Sequence, residues 1–95
     1  MSYELRFGVS ALEEWNKLDN SIKIQLKKKL AERLNNPHVP SAKLSGYENV
    51  YKIKLKATGY RLVYEVQDNK LIVLVLTVGR RDKDIVYRNL RNIKK

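Results

Sequence analysis

Tyr51-Lys52-Ile53-Lys54-Leu55-Lys56-Ala57-Thr58-Gly59-Tyr60-Arg61 decides how this chain folds: lysine stands at every second position, followed by a glycine-containing turn and an arginine. A β-strand sends alternate side chains to opposite faces. Tyr51, Ile53 and Leu55 therefore point to a core, while Lys52, Lys54 and Lys56 line the other face with no acidic residue among them. A four-residue loop from Lys56 to Gly59 pairs Leu55 with Tyr60 and Lys54 with Arg61, which adds the arginine to the lysine row. A loop one residue shorter would turn Arg61 toward the core, a costly place for a guanidinium, so the first register is expected. Alternating lysine and apolar residues are what any strand with one wet face shows. Yet lysines at i and i+2 repel, and ordinary surfaces mix charge signs. The row has the character of a phosphate platform.

The rest of the chain supports that character. Its 95 residues carry 20 Lys and Arg against 10 Asp and Glu, a formal charge of +10. An excess of this size on a small domain fits nucleic acid, an acidic protein or a membrane surface. The membrane reading is weak, because no run approaches the roughly 20 apolar residues of a spanning helix. The start Met1-Ser2-Tyr3-Glu4-Leu5-Arg6-Phe7 has no apolar signal stretch, so a cytoplasmic location is expected. With no cysteine and a single histidine, disulfides, thiolate metal sites and histidine pairs are excluded. His38 lies beside Pro37, Val39 and Pro40 and reads as an incidental loop residue.

No internal repeat, low-complexity tract or linker divides the chain, so residues 1–95 form one domain with a modest core. Tyr3 to Phe7 alternates as a first strand. Ser10 with Glu13 three residues on has capping-box spacing, and Leu12, Trp15 and Leu18 recur at helical intervals. A second helix starts near Asn20 or Ser21 and stops at Asn36-Pro37, burying Ile22, Leu26, Leu30 and Leu34. Its other faces carry Lys23, Lys27, Lys28, Lys29 and Arg33, either a solvated surface or a grip on a phosphate backbone. After a polar loop from Asn35 to Asn49 come strands from Val50 to Lys56, Tyr60 to Gln67 and Leu71 to Arg80, with Asp68-Asn69 as a tight hairpin turn.

That turn places Arg61 across from Leu76 and Val63 across from Leu74. Val63, Ile72, Leu74 and Leu76 then share the basic face, and something must cover its apolar half. The segment from Asp82 to Asn92 is the expected cover, since Val86, Leu90 and Ile93 have the spacing of a short amphipathic helix. Docked there, it brings Arg81 and Tyr87 toward Lys52, Lys54 and Arg61. Such a cleft suits RNA cleavage by the substrate's own 2′-hydroxyl. Guanidiniums match the phosphate oxygens of the transition state, and a lysine crowded by like charges is pushed toward proton-transfer chemistry. The same cluster can also bind phosphates without cutting them, as a nucleic-acid-binding module would. Tyr3, Tyr47, Tyr51, Tyr60 and Tyr64 read mainly as packing.

Taken together, Leu12-x-x-Trp15-x-Lys17-Leu18, Gln25-Leu26-Lys27-Lys28-Lys29-Leu30, Lys43-Leu44 with Gly46, Tyr51-Lys52-Ile53-Lys54-Leu55, Gly59-Tyr60-Arg61-Leu62-Val63-Tyr64 and Val78-Gly79-Arg80-Arg81 through Val86-Tyr87 closely resemble the RelE toxins. These are the ribosome-dependent messenger RNA endonucleases of bacterial toxin–antitoxin modules, and the resemblance runs nearly end to end. Other branches of the RelE/ParE superfamily use a Glu and His acid–base set that this cleft lacks. The resemblance implies a small α+β fold, with two N-terminal helices on one side of a mainly antiparallel four-stranded sheet. The active cleft and a short C-terminal helix lie on the other side.

The resemblance also implies roles. The residue matching Lys52 is implicated in activating the 2′-hydroxyl, and that matching Lys54 in charge stabilisation or in protonating the leaving group. Arg61 and Arg81 match residues that hold the scissile phosphate, Arg81 with a proposed part in proton transfer. Tyr87 matches a residue that stacks on or orients the nucleotide. Lys23, Lys27, Lys28, Arg33 and Lys56 would meet RNA on the ribosome. No metal or cofactor is implied. The implied partners are messenger RNA, the 16S RNA of the ribosomal A site, and a RelB-like antitoxin that displaces or occludes the C-terminal helix. Operator DNA would be bound and repressed through the antitoxin complex.

Overall fold

The computed structural model describes residues 2–80, 90 and 91. The chain enters a sheet at once. Strand β1 (Glu4–Phe7) leads into helix α1 (Val9–Asn16), and helix α2 (Asn20–Asn35) follows after a short turn. A 3-10 turn (Pro40–Ala42) then precedes strands β2 (Val50–Leu55), β3 (Tyr60–Gln67) and β4 (Ile72–Arg80). The strand order is β1-β4-β3-β2. β1 runs parallel to β4, and the other two pairings are antiparallel. The expected α+β architecture, two helices on a four-stranded mainly antiparallel sheet, is the one observed.

Both helices pack on one face. Ala11 and Trp15 of α1 and Ile22, Leu26 and Leu30 of α2 meet Tyr51, Ile53, Leu55, Leu62, Tyr64, Val66, Val73, Val75 and Val78. Each buried Leu, Ile or Val in such a layer contributes about 1.5–3 kcal/mol from burial. A smaller cluster on the opposite face joins Val50, Val63, Leu76 and Leu90, with Leu44, Tyr47 and Leu74 half-buried around it. Leu90, 1% exposed, thus covers the apolar half of the basic face, as its spacing suggested. Most of the expected C-terminal helix, including Arg81 and Tyr87, lies outside the described residues.

Three sequence expectations are corrected. Helix α1 begins at Val9 on an N-cap Gly8 and has no side-chain cap, so Ser10 sits inside its first turn. The reason is tertiary: the Gly8 N–H donates to the Val75 carbonyl at 2.9 Å, and its own carbonyl receives the Leu12 N–H. The parallel pairing of β1 therefore sets where the helix starts. Leu12, expected in the core, is 46% exposed, and Ala11 is buried instead. Glu14 supplies a second anchor, accepting from the Thr77 hydroxyl at 3.0 Å and the Val78 N–H at 3.1 Å. Those groups lie on β4 beyond the reach of β1, so Glu14 satisfies a strand edge that would otherwise lose hydrogen bonds.

The third correction concerns the β3–β4 register. Gln67 pairs with Ile72, so the hairpin loop spans four residues, 68–71, with Leu71 at φ 56°. The register then shifts between Val63 and Tyr64, where Tyr64 pairs with Val75 and Val63 with Thr77. Leu76 is the extra residue of a β-bulge. Arg61 consequently faces Gly79 instead of Leu76.

Candidate active cleft

The register of the β2–β3 hairpin decides the site, and it is the expected one: Leu55 pairs with Tyr60, Lys54 with Arg61 and Lys52 with Val63. Gly59, at φ +77°, closes the loop, its N–H donating to the Leu55 carbonyl at 2.8 Å. A left-handed φ of this kind costs an ordinary residue about 1–2 kcal/mol. Directly paired antiparallel residues carry their Cβ atoms about 5 Å apart, and residues two apart on a strand rise about 7 Å. Lys52, Lys54 and Arg61 therefore stand within one nucleotide's width of each other. Gly79, beyond Arg61, adds no side chain to that row, so the cationic face opens toward the sheet end where β4 finishes.

A depression of about 280 Å³ at this end is lined by Lys54, Leu55, Lys56, Gly59, Tyr60 and Arg61. Lys54 and Lys56 are exposed, while Lys52 and Arg61 are half-buried against their neighbours. Partial burial in a basic surface strengthens attraction for an anion, because the surrounding dielectric is lower than in water. The Arg80 guanidinium lies 5.8 Å from the Tyr60 ring centroid, paired with Tyr60 in the register. Tyr60 follows Leu55 onto the helix side, so Arg80 stands apart from the row. Among the described residues no group of His, Cys, Asp and Glu could hold a metal ion.

Residues 5–85 match the family described as the ParE toxin of the type II toxin–antitoxin system parDE. The mRNA interferase toxin RelE of Escherichia coli strain K12 is 49% identical over 87 residues, covering 92% of each chain. The chain belongs to the RelE/ParE toxin family. The fold agrees throughout: the free E. coli RelE toxin, in a variant with two arginines changed to alanine, superposes with a TM-score of 0.91 at 44% identity over the whole of both chains. RelE in the intact E. coli RelBE toxin–antitoxin complex matches with a TM-score of 0.83 at 48% identity, covering 85% of this chain and 99% of that one.

In this family member the fold brings Lys52, Lys54, Arg61 and Lys56 together on or beside one face. It does not bring the α2 lysines to them. Lys23, Lys27 and Lys28 lie on the helix that covers the opposite side of the sheet, where Lys27 rims an apolar groove formed by Leu5, Phe7, Trp15, Leu30, Ala31 and Leu34. Arg33 differs from those lysines. Its Nη1 donates to the Lys52 carbonyl at 3.1 Å and to the Tyr64 hydroxyl at 2.9 Å, so its guanidinium is turned into the protein. The sequence held a signal for this: Arg33 falls three residues after Leu30 and seven after Leu26, on the buried stripe of α2.

His38 is another residue the sequence undervalued. Its Nδ1 lies 2.9 Å from the Tyr51 hydroxyl and its Nε2 2.8 Å from Asp68 Oδ1, while the Tyr3 hydroxyl donates to the same oxygen at 2.6 Å. Together they tie the N-terminus, the loop after α2 and the β3–β4 hairpin. Sequence gave no warning, because the partners come from positions far apart in the chain. The Tyr3 phenol, and after it the His38 ring, holds the Asp68 carboxyl below its ordinary value of 3.8. A carboxylate with a lowered folded pKa contributes stability above its unfolded value and loses it as pH falls through the folded one. Asp68→Ala should therefore lower the unfolding midpoint at pH 6, and that difference should fade as both proteins are taken below pH 3.8. Melting curves across that range measure it.

Proposed function

We propose that this chain is an endoribonuclease toxin that cuts messenger RNA in the ribosomal A site and is neutralised by a RelB-like antitoxin. The observation that carries the reading is the Lys54–Arg61 cross-strand pair, flanked by Lys52 two residues along β2 and by the side-chain-free Gly79 across from Arg61. Three cations on one strand pair fit a phosphodiester that gains negative charge during reaction. The nucleophile is the RNA's own 2′-hydroxyl, attacking the adjacent phosphorus in line and releasing a 5′-hydroxyl fragment and a 2′,3′-cyclic phosphate. No metal is needed to generate it.

The protein's tasks are then charge stabilisation and two proton transfers. Arg61 takes the first, since its fork matches two phosphate oxygens and stays protonated throughout. Arg81 holds the phosphate beside Arg61, Lys52 activates the 2′-hydroxyl, Lys54 stabilises charge or protonates the leaving group, and Tyr87 orients the nucleotide. The ribosome supplies the geometry: holding the codon for in-line attack is worth about 7–11 kcal/mol in favourable intramolecular cases. Lys23, Lys27, Lys28 and Lys56 meet ribosomal RNA through their charge. A relative of this chain is named an mRNA interferase and another is crystallised with its antitoxin, which supports both halves of the reading. With its antitoxin the chain would bind operator DNA as a repressor.

Primer extension on a defined messenger RNA tests the proposal, comparing programmed ribosomes with ribosome-free RNA and wild type with Arg81→Ala. The expected result is a strong stop within the A-site codon, seen only with ribosomes and lost in the variant. Ribosome binding without any stop would leave a basic nucleic-acid-binding module in place of the nuclease.

A further inference from the structure

We propose that Arg33 is a positioning residue for Lys52, holding the backbone of β2 from the helix side so that the lysine ammonium on the other face meets RNA in a fixed place. The inference rests on the reading of Lys52 as part of the reacting site. β2 is an edge strand. Its Val50 carbonyl is covered by the Leu44 N–H at 2.9 Å. Alternate residues of an antiparallel strand send their backbone groups to the same side, so the Lys52 carbonyl also points off the sheet edge. Arg33 reaches that carbonyl at 3.1 Å.

The arginine is itself tightly held. The same Nη1 has two hydrogens, and the second goes to the Tyr64 hydroxyl at 2.9 Å. The guanidinium carbon sits 5.8 Å from the Tyr64 ring centroid. Tyr64 is fully buried, donates to the Pro37 carbonyl at 2.8 Å and stacks on Tyr51 with ring centroids 5.7 Å apart. The support behind Lys52 is thus a charged donor braced on the central core. A charge-assisted bond to a backbone carbonyl constrains the strand more than the water that would replace it. The fixed carbonyl belongs to the same residue whose side chain projects into the cleft.

The test is single-turnover cleavage on saturating programmed ribosomes, with ribosome affinity measured separately. Wild type is compared with Arg33→Met, Arg33→Lys, Lys52→Ala and the Lys52→Ala/Arg33→Met pair. A misplacement near 1 Å costs up to about 100-fold in rate, so Arg33→Met is expected to lower the saturated cleavage constant about tenfold or more. Ribosome affinity should stay unchanged, and Arg33→Lys, which keeps a charged donor, should recover most of the loss. On the Lys52→Ala background, Arg33→Met should cost nothing further. If Arg33→Met does not fold, Arg33→Gln, too short to reach both acceptors, takes its place. Wild-type cleavage by the Arg33 variant overturns the proposal, as does an equal loss on both backgrounds. Weakened ribosome affinity with normal saturated cleavage overturns it too, making Arg33 an RNA contact. Wild-type cleavage by Lys52→Ala instead removes the role of Lys52 on which it stands.

Discussion

Arg61→Ala should lose messenger RNA cleavage by about 100- to 1000-fold, the loss seen when one preorganised donor to a developing oxyanion is removed. Ribosome affinity should barely move. The two effects separate because they draw on different numbers of charges. In the proposed reading, binding to ribosomal RNA would be shared among many of the 20 Lys and Arg, and deleting one phosphate contact lowers the salt slope by only about 1. Transition-state charge, by contrast, develops at one phosphate, and Arg61 is the guanidinium that β3 sets directly across from Lys54. Arg61→Lys keeps the charge but not the planar fork, so its cleavage should fall between wild type and alanine. Lys54→Ala and Arg61→Ala should not add when combined, since on the proposed reading the pair would serve the same phosphate. Quench-flow cleavage beside filter binding separates rate from affinity. A loss of affinity equal to the loss of cleavage would leave Arg61 as a binding residue.

What made this arrangement readable was the coupling of a period-two pattern to a turn. Slipping the β2–β3 register by one residue would have placed Arg61 in the core, so only one register was physically reasonable, and Gly59 supplied the left-handed residue its loop needs. β3–β4 had no such constraint. β4 is apolar on both faces from Ile72 to Leu76, so a shift costs little that composition can reveal. The actual pairing depends on Leu71 taking a left-handed conformation and on the bulge at Leu76, local geometries that no residue type there announces. The consequence reached the site, because the shift puts Gly79 instead of a leucine beside Arg61. α1 failed for a similar reason: its start is dictated by the Gly8–Val75 hydrogen bond across the sheet, which overrides the capping signal at Ser10. Arg33 was hidden by charge. A guanidinium on a lysine-rich helix reads as surface, and only its position on the apolar stripe betrays that it turns inward.

The same inward guanidinium makes Tyr64→Phe a strongly destabilising change, although it removes one oxygen atom and leaves the ring stack with Tyr51 intact. The Tyr64 hydroxyl donates to the Pro37 carbonyl and accepts from Arg33, and burial raises its pKa against the opposing pull of that arginine. Phenylalanine leaves the buried Pro37 carbonyl without its donor and the half-buried guanidinium without one of its acceptors. Stranding buried partners in this way costs about 1–3 kcal/mol, more when one of them is charged. Each kcal/mol shifts the melting point of a domain of this size by about 4–8 °C, so a fall near 10 °C is expected. Tyr51→Phe is the control. Its hydroxyl meets the His38 ring, which is 40% exposed and open to water, and the change should cost about 1 kcal/mol or less. Equally small losses for the two variants would show that the Arg33–Tyr64–Pro37 chain adds nothing to the back of β2. A Tyr64→Phe protein that melts lower yet cleaves as wild type per folded molecule would separate the brace's stability from its effect on Lys52, since the Arg33 bond to the Lys52 carbonyl does not pass through the phenol.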